Sequence, residues 1–178
     1  MSYKDKTEKF ITDLISQGKI SNVPVNVEEV AQSLPIDIRE YGFNEDVSAV
    51  LIVEDDGTAT IGYNPKETLN RRRFSIAHEI GHYILHSNKS KGIFMDKLMF
   101  RKNITLYSKK EEIIEKEANY FAANLLMPKE LVTLEVQKLD PFNNDEDNIK
   151  ELARIFEVSS IAMTYRLINL GLYSALSF

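Results

Sequence analysis

Apolar residues recur every three to four positions through most of this chain and alternate with polar ones through a short middle section. The first pattern marks amphipathic helices and the second marks half-buried strands. A first helix is expected from about Lys4 to Gln17, with Gly18 at the position that stops it. A shorter helix follows over Val25 to Leu34, where Asn26 suits the N-cap, Glu29 three residues on suits a capping box, and Pro35 closes the segment. Three strand-like runs come next, Ile36 to Tyr41, Val47 to Val53 and Thr58 to Tyr63, the last two joined by the turn Glu54-Asp55-Asp56-Gly57. They predict a small antiparallel three-stranded sheet, with the third run as an edge strand able to pair with an extended peptide.

A helix from about Leu69 to His86 is apolar on both sides of a polar centre, which makes it a buried helix. Ser87 to Ser108 has no clean period and contains Gly92, so a mobile loop or broken helix able to cover a cleft is expected there. Lys109 to Met127 reads as a strong helix stopped by Pro128, and Lys129 to Lys138 as another. After the polar connection from Asp140 to Asp147, two helical runs close the chain, about Asn148 to Phe156 and Ser159 to Asn169. The expected class is α+β and mostly helical, with a main domain over residues 1–139 and a helical extension over 140–178 packed on it.

Composition narrows this picture. At 178 residues and 43% hydrophobic side chains the chain can bury a core unaided. It has no Cys, so any metal must be held by His, carboxylate oxygen or water. The charged start Met1-Ser2-Tyr3-Lys4-Asp5-Lys6 has no apolar run behind it, and no apolar segment reaches membrane-spanning length, so a cytoplasmic protein is expected. A net charge of −5 argues against a protein that coats nucleic acid. The one dense basic run, Arg71-Arg72-Arg73, reads as a solvated helix end.

The chemistry lies in the polar centre of the buried helix, His78-Glu79-Ile80-Gly81-His82. Four residues is just over one helical turn, so both imidazoles leave one face at a spacing that can chelate a single ion. Glu79 stands about 100° round the helix, at the edge of the ligand stripe, where a carboxylate can act as general base on a water. Burial strengthens the reading. Two imidazoles and a carboxylate each need a partner away from water, and one zinc ion satisfies all three.

A catalytic zinc needs three protein ligands and an open position. His86 lies a further turn along the same straight helix, too far to close on the same ion, and reads as a C-terminal residue favoured by the helix dipole. The helix over Lys109 to Met127 offers a better donor. Its apolar stripe of Ile114, Ala118, Phe121, Ala122 and Leu125 must face the core, and small Ala118 and Ala122 allow close approach. Glu115 and Asn119 flank that stripe as an i, i+4 pair, able to supply one ligand and one hydrogen bond that fixes an imidazole tautomer. Glu117, on the opposite flank, is the alternative to Glu115 as ligand. Tyr63, Tyr83 and Tyr120 lie near these motifs in sequence but read as core or rim residues.

The run Arg73-Phe74-Ser75-Ile76-Ala77-His78-Glu79-Ile80-Gly81-His82-Tyr83-Ile84-Leu85-His86, followed by Glu115-Lys116-Glu117-Ala118-Asn119-Tyr120-Phe121-Ala122-Ala123-Asn124-Leu125-Leu126-Met127-Pro128, resembles the ImmA/IrrE family of metallo-endopeptidases. The second block is the more specific of the two. The short helix over Val25 to Leu34 and the run Leu152 to Ser159 are similar as well, so the resemblance covers most of the chain. It implies a zincin-like, thermolysin-like fold with the glutamate ligand on a downstream helix. It further implies Zn2+ as cofactor and a protein substrate, a helix-turn-helix transcriptional repressor of a mobile element or stress-response gene.

Two other readings compete with hydrolysis. One is a zinc-bearing module that holds a repressor without cutting it. The other is DNA binding through Ile149 to Leu172, which has the cadence of a helix-turn-helix. There Lys150, Arg154 and Arg166 are offset by Glu151 and Glu157, whereas a DNA-reading helix should be more basic, so these helices are expected to pack on the body.

Overall fold

The computed structural model describes residues 1–42, 47–86, 92–97 (backbone only), 109–140 and 143–173. The chain opens with α1 (Tyr3–Ser16), whose first turn is closed by a reciprocal capping box between Ser2 and Asp5. Beyond it Gly18 takes φ +71°, which ends the helix. α2 (Val27–Gln32) starts as its sequence requires, with the Asn26 side chain accepting from the amides of Glu28 and Glu29.

β1 (Ile36–Glu40), β2 (Val47–Val53), β3 (Ala59–Tyr63) and β4 (Gly92–Lys97) form one four-stranded sheet in the order β1-β3-β2-β4. The α+β class holds, but three details of the expected sheet do not. β1 pairs parallel with β3, so the sheet is mixed rather than antiparallel. β3 is interior, flanked by β1 and β2, and the edges are β1 and β4. A fourth strand lies within the stretch expected to be a mobile loop or broken helix; the rest of that stretch falls outside the described residues. The physical reason is common to all three. Alternation along a strand fixes which side chains face the core, as with buried Ala59, Ile61 and Tyr63, but says nothing about which neighbour takes the free edge.

α3 (Leu69–His86) packs against β2 and β3, and α4 (Lys109–Leu126) packs on α3. Leu51 and Ile61 from the sheet, Ile76 and Ile80 from α3, and Phe121 and Leu125 from α4 share one buried cluster. Each such side chain contributes about 1.5–3 kcal/mol through burial. The start of α3 is pinned to the sheet by Ser48, which donates to Glu67 Oε1 at 3.0 Å and accepts from Arg71 Nη2 at 3.2 Å. α1 lies along α4, with Tyr3 meeting Tyr120 edge-on at 5.3 Å and Phe10 against Phe121 at 5.5 Å.

α5 (Lys129–Val136), α6 (Asp145–Phe156) and α7 (Ser160–Leu170) complete the chain. Leu152, Phe156, Met163 and Leu167 of the last two helices are fully buried in the same core. Two buried arginines join this part to the helices beneath. Arg166 Nε donates to the Met127 carbonyl at 2.8 Å, and Arg73 Nη1 lies 3.4 Å from Glu157 Oε2. Arg73 therefore corrects the solvated reading of the arginine run: it is 8% exposed, because the chain at Glu157, in the left-handed region at φ 51°, returns over the start of α3. Arg71 and Arg72 stay half-buried, over the rings of Phe74 and Tyr63. Among the described residues no helix is long and apolar enough to cross a membrane.

Candidate metal centre

The site begins with how closely two helices approach. Gly81 sits in the middle of α3, where glycine costs about 0.5–1 kcal/mol relative to alanine. A Cβ there would lie 3.0 Å from Phe121 Cβ and 3.2 Å from the Ala118 carbonyl oxygen of α4. The missing side chain lets the backbones meet, and with Ala118 and Ala122 it draws the polar flank of α4 over the imidazoles of α3. Sequence reasoning gave the alanines this role and passed over Gly81. The available signal was an isolated glycine inside a strong helical pattern.

The approach carries Glu115 to His78 and His82. His78 Nε2 lies 2.9 Å from His82 Nε2 and 3.2 Å from Glu115 Oε2, and His82 Nε2 lies 3.3 Å from Glu115 Oε1. Both histidines are 1% exposed. Three donors bound to one tetrahedral ion at 2.0–2.1 Å stand about 3.3 Å apart, so these atoms fit the corners of one zinc polyhedron. Among the described residues this is the one group of three acidic or histidine side chains able to hold a metal. Burial alone would raise the Glu115 carboxyl, yet hydrogen bonds to His78 and His82 and their charge outweigh it and hold the group at about 2. The carboxylate is therefore ionised across any working pH.

Asn119 lies one turn beyond Glu115, with its Oδ1 3.0 Å from His78 Nδ1. With Asn119 Oδ1 accepting from Nδ1–H, His78 Nε2 is the atom that donates to Glu115 when the ring is protonated and that offers its lone pair to a metal when the ring is neutral. Glu79, next to His78, is fully buried. Glu117 goes elsewhere: its Oε2 lies 3.7 Å from Nε2 of His86, which is buried one turn past His82. The tyrosines have structural partners. Tyr63 donates to Glu40, Tyr83 to the Gly57 carbonyl, and Tyr120 meets Tyr3 edge-on.

The family model described as the IrrE N-terminal-like domain, of peptidase class M78, matches residues 31–168. The chain belongs to this family. Within it, the chain is similar to the metallopeptidase ImmA of Bacillus subtilis (strain 168), with 26% identity over 126 residues, covering 70% of the chain and 65% of that relative. The chain thus spans somewhat less than two thirds of the relative's length. In fold it is similar to a Mycobacterium tuberculosis transcriptional regulator, with a TM-score of 0.61 and 15% identity over 90% of the chain and 46% of that protein. The matched span of the IrrE N-terminal-like family contains α3 and α4 whole, and with them every residue of the site described above.

Proposed function

We propose that this chain is a zinc-dependent endopeptidase. The observation that supports it most is the convergence of His78, His82 and Glu115, drawn from two helices, beside buried Glu79 in a member of a metallopeptidase family. In this reading the three side chains hold Zn2+ with His78 fixed by Asn119. Bound there, zinc supplies a Lewis acid that polarises the scissile carbonyl and favours ionisation of water. Glu79 is the general base: its carboxylate takes a proton from the attacking water and passes it to the amine that leaves when the C–N bond breaks.

The substrate is a protein, and on the resemblance of the two sequence blocks we take it to be a helix-turn-helix transcriptional repressor, met in the cytoplasm. The helices after residue 139 are read as an extension that braces the metallopeptidase body. DNA recognition by them is disfavoured by the burial of Arg166 and by the pairing of Arg154 with Glu151 at 2.7 Å. The test is incubation of the zinc-loaded chain with helix-turn-helix repressors from the same organism, with mass analysis of fragments. One discrete cut, absent with Glu79→Gln, is the expected result. Tight association without cleavage would instead make the chain a zinc-bearing binding module.

A further inference from the structure

A groove of about 820 Å³ runs along α4 between α1 and α7, and its lining includes none of His78, Glu79, His82 and Glu115. Its volume falls in the range of about 300–1,000 Å³ typical of ligand sites. Phe74 and Asn119 are among its lining residues, and Asn119 is the residue bonded to His78. We infer that this groove docks an acidic amphipathic helix of the protein substrate, beside the metal centre but separate from the peptide bond being cut. The inference rests on the peptidase reading above.

Charge gives the first argument. The chain as a whole is acidic, with 27 Asp and Glu against 22 Lys and Arg, yet the groove is lined by Lys4, Lys116, Lys129 and Arg166 against only Glu8 and Glu130. Arg166 is committed to the Met127 carbonyl and Lys116 to Glu112. Lys4 and Lys129 are exposed and ion-pair with no carboxylate among the described residues; Lys4 instead lies 5.8 Å over the Tyr120 ring. Two unpaired cations flanking a groove on a protein of net charge −5 favour carboxylates on the occupant.

The outer face of α7 points to the same occupant. Met163 and Leu167 fill the core, as a helix of a globular protein requires, but Ile161, Tyr165 and Ile168 are 71%, 65% and 53% exposed. Their spacing of four and three places them on one face, and Tyr165 also lines the groove. A helix that is apolar on both faces ordinarily has both covered. An i, i+4, i+7 stripe at the lip of a groove matches the way an amphipathic helix is held. Contact with Asn119 then makes the docking site continuous with the cleavage site, so that a docked substrate presents its scissile bond at high effective concentration.

The test uses the full chain carrying Glu79→Gln and a fluorescein-labelled helical peptide of about five turns, with leucines at i, i+4 and i+7 and glutamates flanking them. A second peptide replaces every glutamate by lysine. The acidic peptide should bind at least tenfold more tightly in anisotropy titrations, and added salt should weaken it. K4E combined with K129E should erase the preference, and Tyr165→Ser combined with Ile161→Ser should weaken binding at least fivefold; all four residues are exposed, so the fold is retained. Equal binding of the two peptides, no binding, or indifference to both double variants would overturn the inference. Because Glu79→Gln cleaves far more slowly than wild type in the proposed mechanism, binding reports on the groove alone, while cleavage by the wild-type chain reports on the peptidase reading.

Discussion

The same pair of helices brings acid to histidine twice, one turn apart, and the two meetings differ in kind. At the first, two imidazoles and Glu115 stand within 2.9–3.3 Å of one another. At the second, His86 meets Glu117 alone at 3.7 Å. Both histidine groups are buried and both acids come from α4, so neither burial nor residue type separates them. What separates them is registry. A helix rises 5.4 Å per turn, so a third histidine four residues on cannot close on the ion held by the first two, while an acid from a crossing helix can. Gly81 stands between the two histidines of the first meeting in sequence and sets how near α4 comes to α3. In the proposed reading, three histidines at equal spacing therefore make one metal centre and one pair.

The sharpest division within the first cluster is between the acid proposed to hold the ion and the acid proposed to work on the substrate. Glu79→Gln is expected to lower cleavage by about 10²–10⁴-fold while zinc content measured by mass spectrometry is unchanged. Zinc lost along with activity would move Glu79 into the ligand set.

Next in size, Asn119→Ala frees the His78 tautomer and should weaken zinc binding about 10–100-fold in a competitive chelator titration. The same change leaves the His86–Glu117 pair intact, so an equal loss of thermal stability with no loss of zinc affinity would reduce Asn119 to a packing residue. Gly81→Ala tests both clusters at once. Overpacking costs about 1–3 kcal/mol and the helix regains about 0.5–1 kcal/mol from the alanine. The close contact with backbone at Ala118 makes the first effect win, giving net destabilisation of about 1–2 kcal/mol in urea unfolding. A stabilised variant would show that the helices are not held at their limit of approach.

The smallest effect is read in acid. Glu115 sits at about 2 in the folded chain against an ordinary 4.5, so its contribution to the metal-free fold is present above pH 4.5 and is lost as pH falls towards 2. Over that window the difference in unfolding free energy between wild type and Glu115→Gln should shrink steadily. A difference that is flat from pH 5 to 2 would mean that the carboxylate is not paired with the imidazoles.

Legibility in the sequence followed the range of the forces involved. Helices were readable because periodicity and caps are local: α3 runs from Leu69 to His86 as expected, and Asn26 caps α2. The juxtaposition of Glu115 with His78 and His82, and of Asn119 with His78, followed from one apolar stripe that had to face the core. Long-range choices were not readable. The parallel pairing of β1 with β3 and the return of Glu157 over Arg73 depend on segments far apart in the chain, which leave no local mark. Gly81 is intermediate, since the residue is visible but the partner that explains it, Phe121, lies 40 positions away.

The central claim is that the ion belongs to the cluster at Glu115 and not to the pair at Glu117. Its most direct test is zinc stoichiometry of the full chain after equilibration with the metal and removal of excess, compared with Glu115→Gln and Glu117→Gln. The account predicts one zinc per wild-type chain, one in Glu117→Gln and none in Glu115→Gln. Zinc retained in Glu115→Gln, or lost in Glu117→Gln alone, would contradict it.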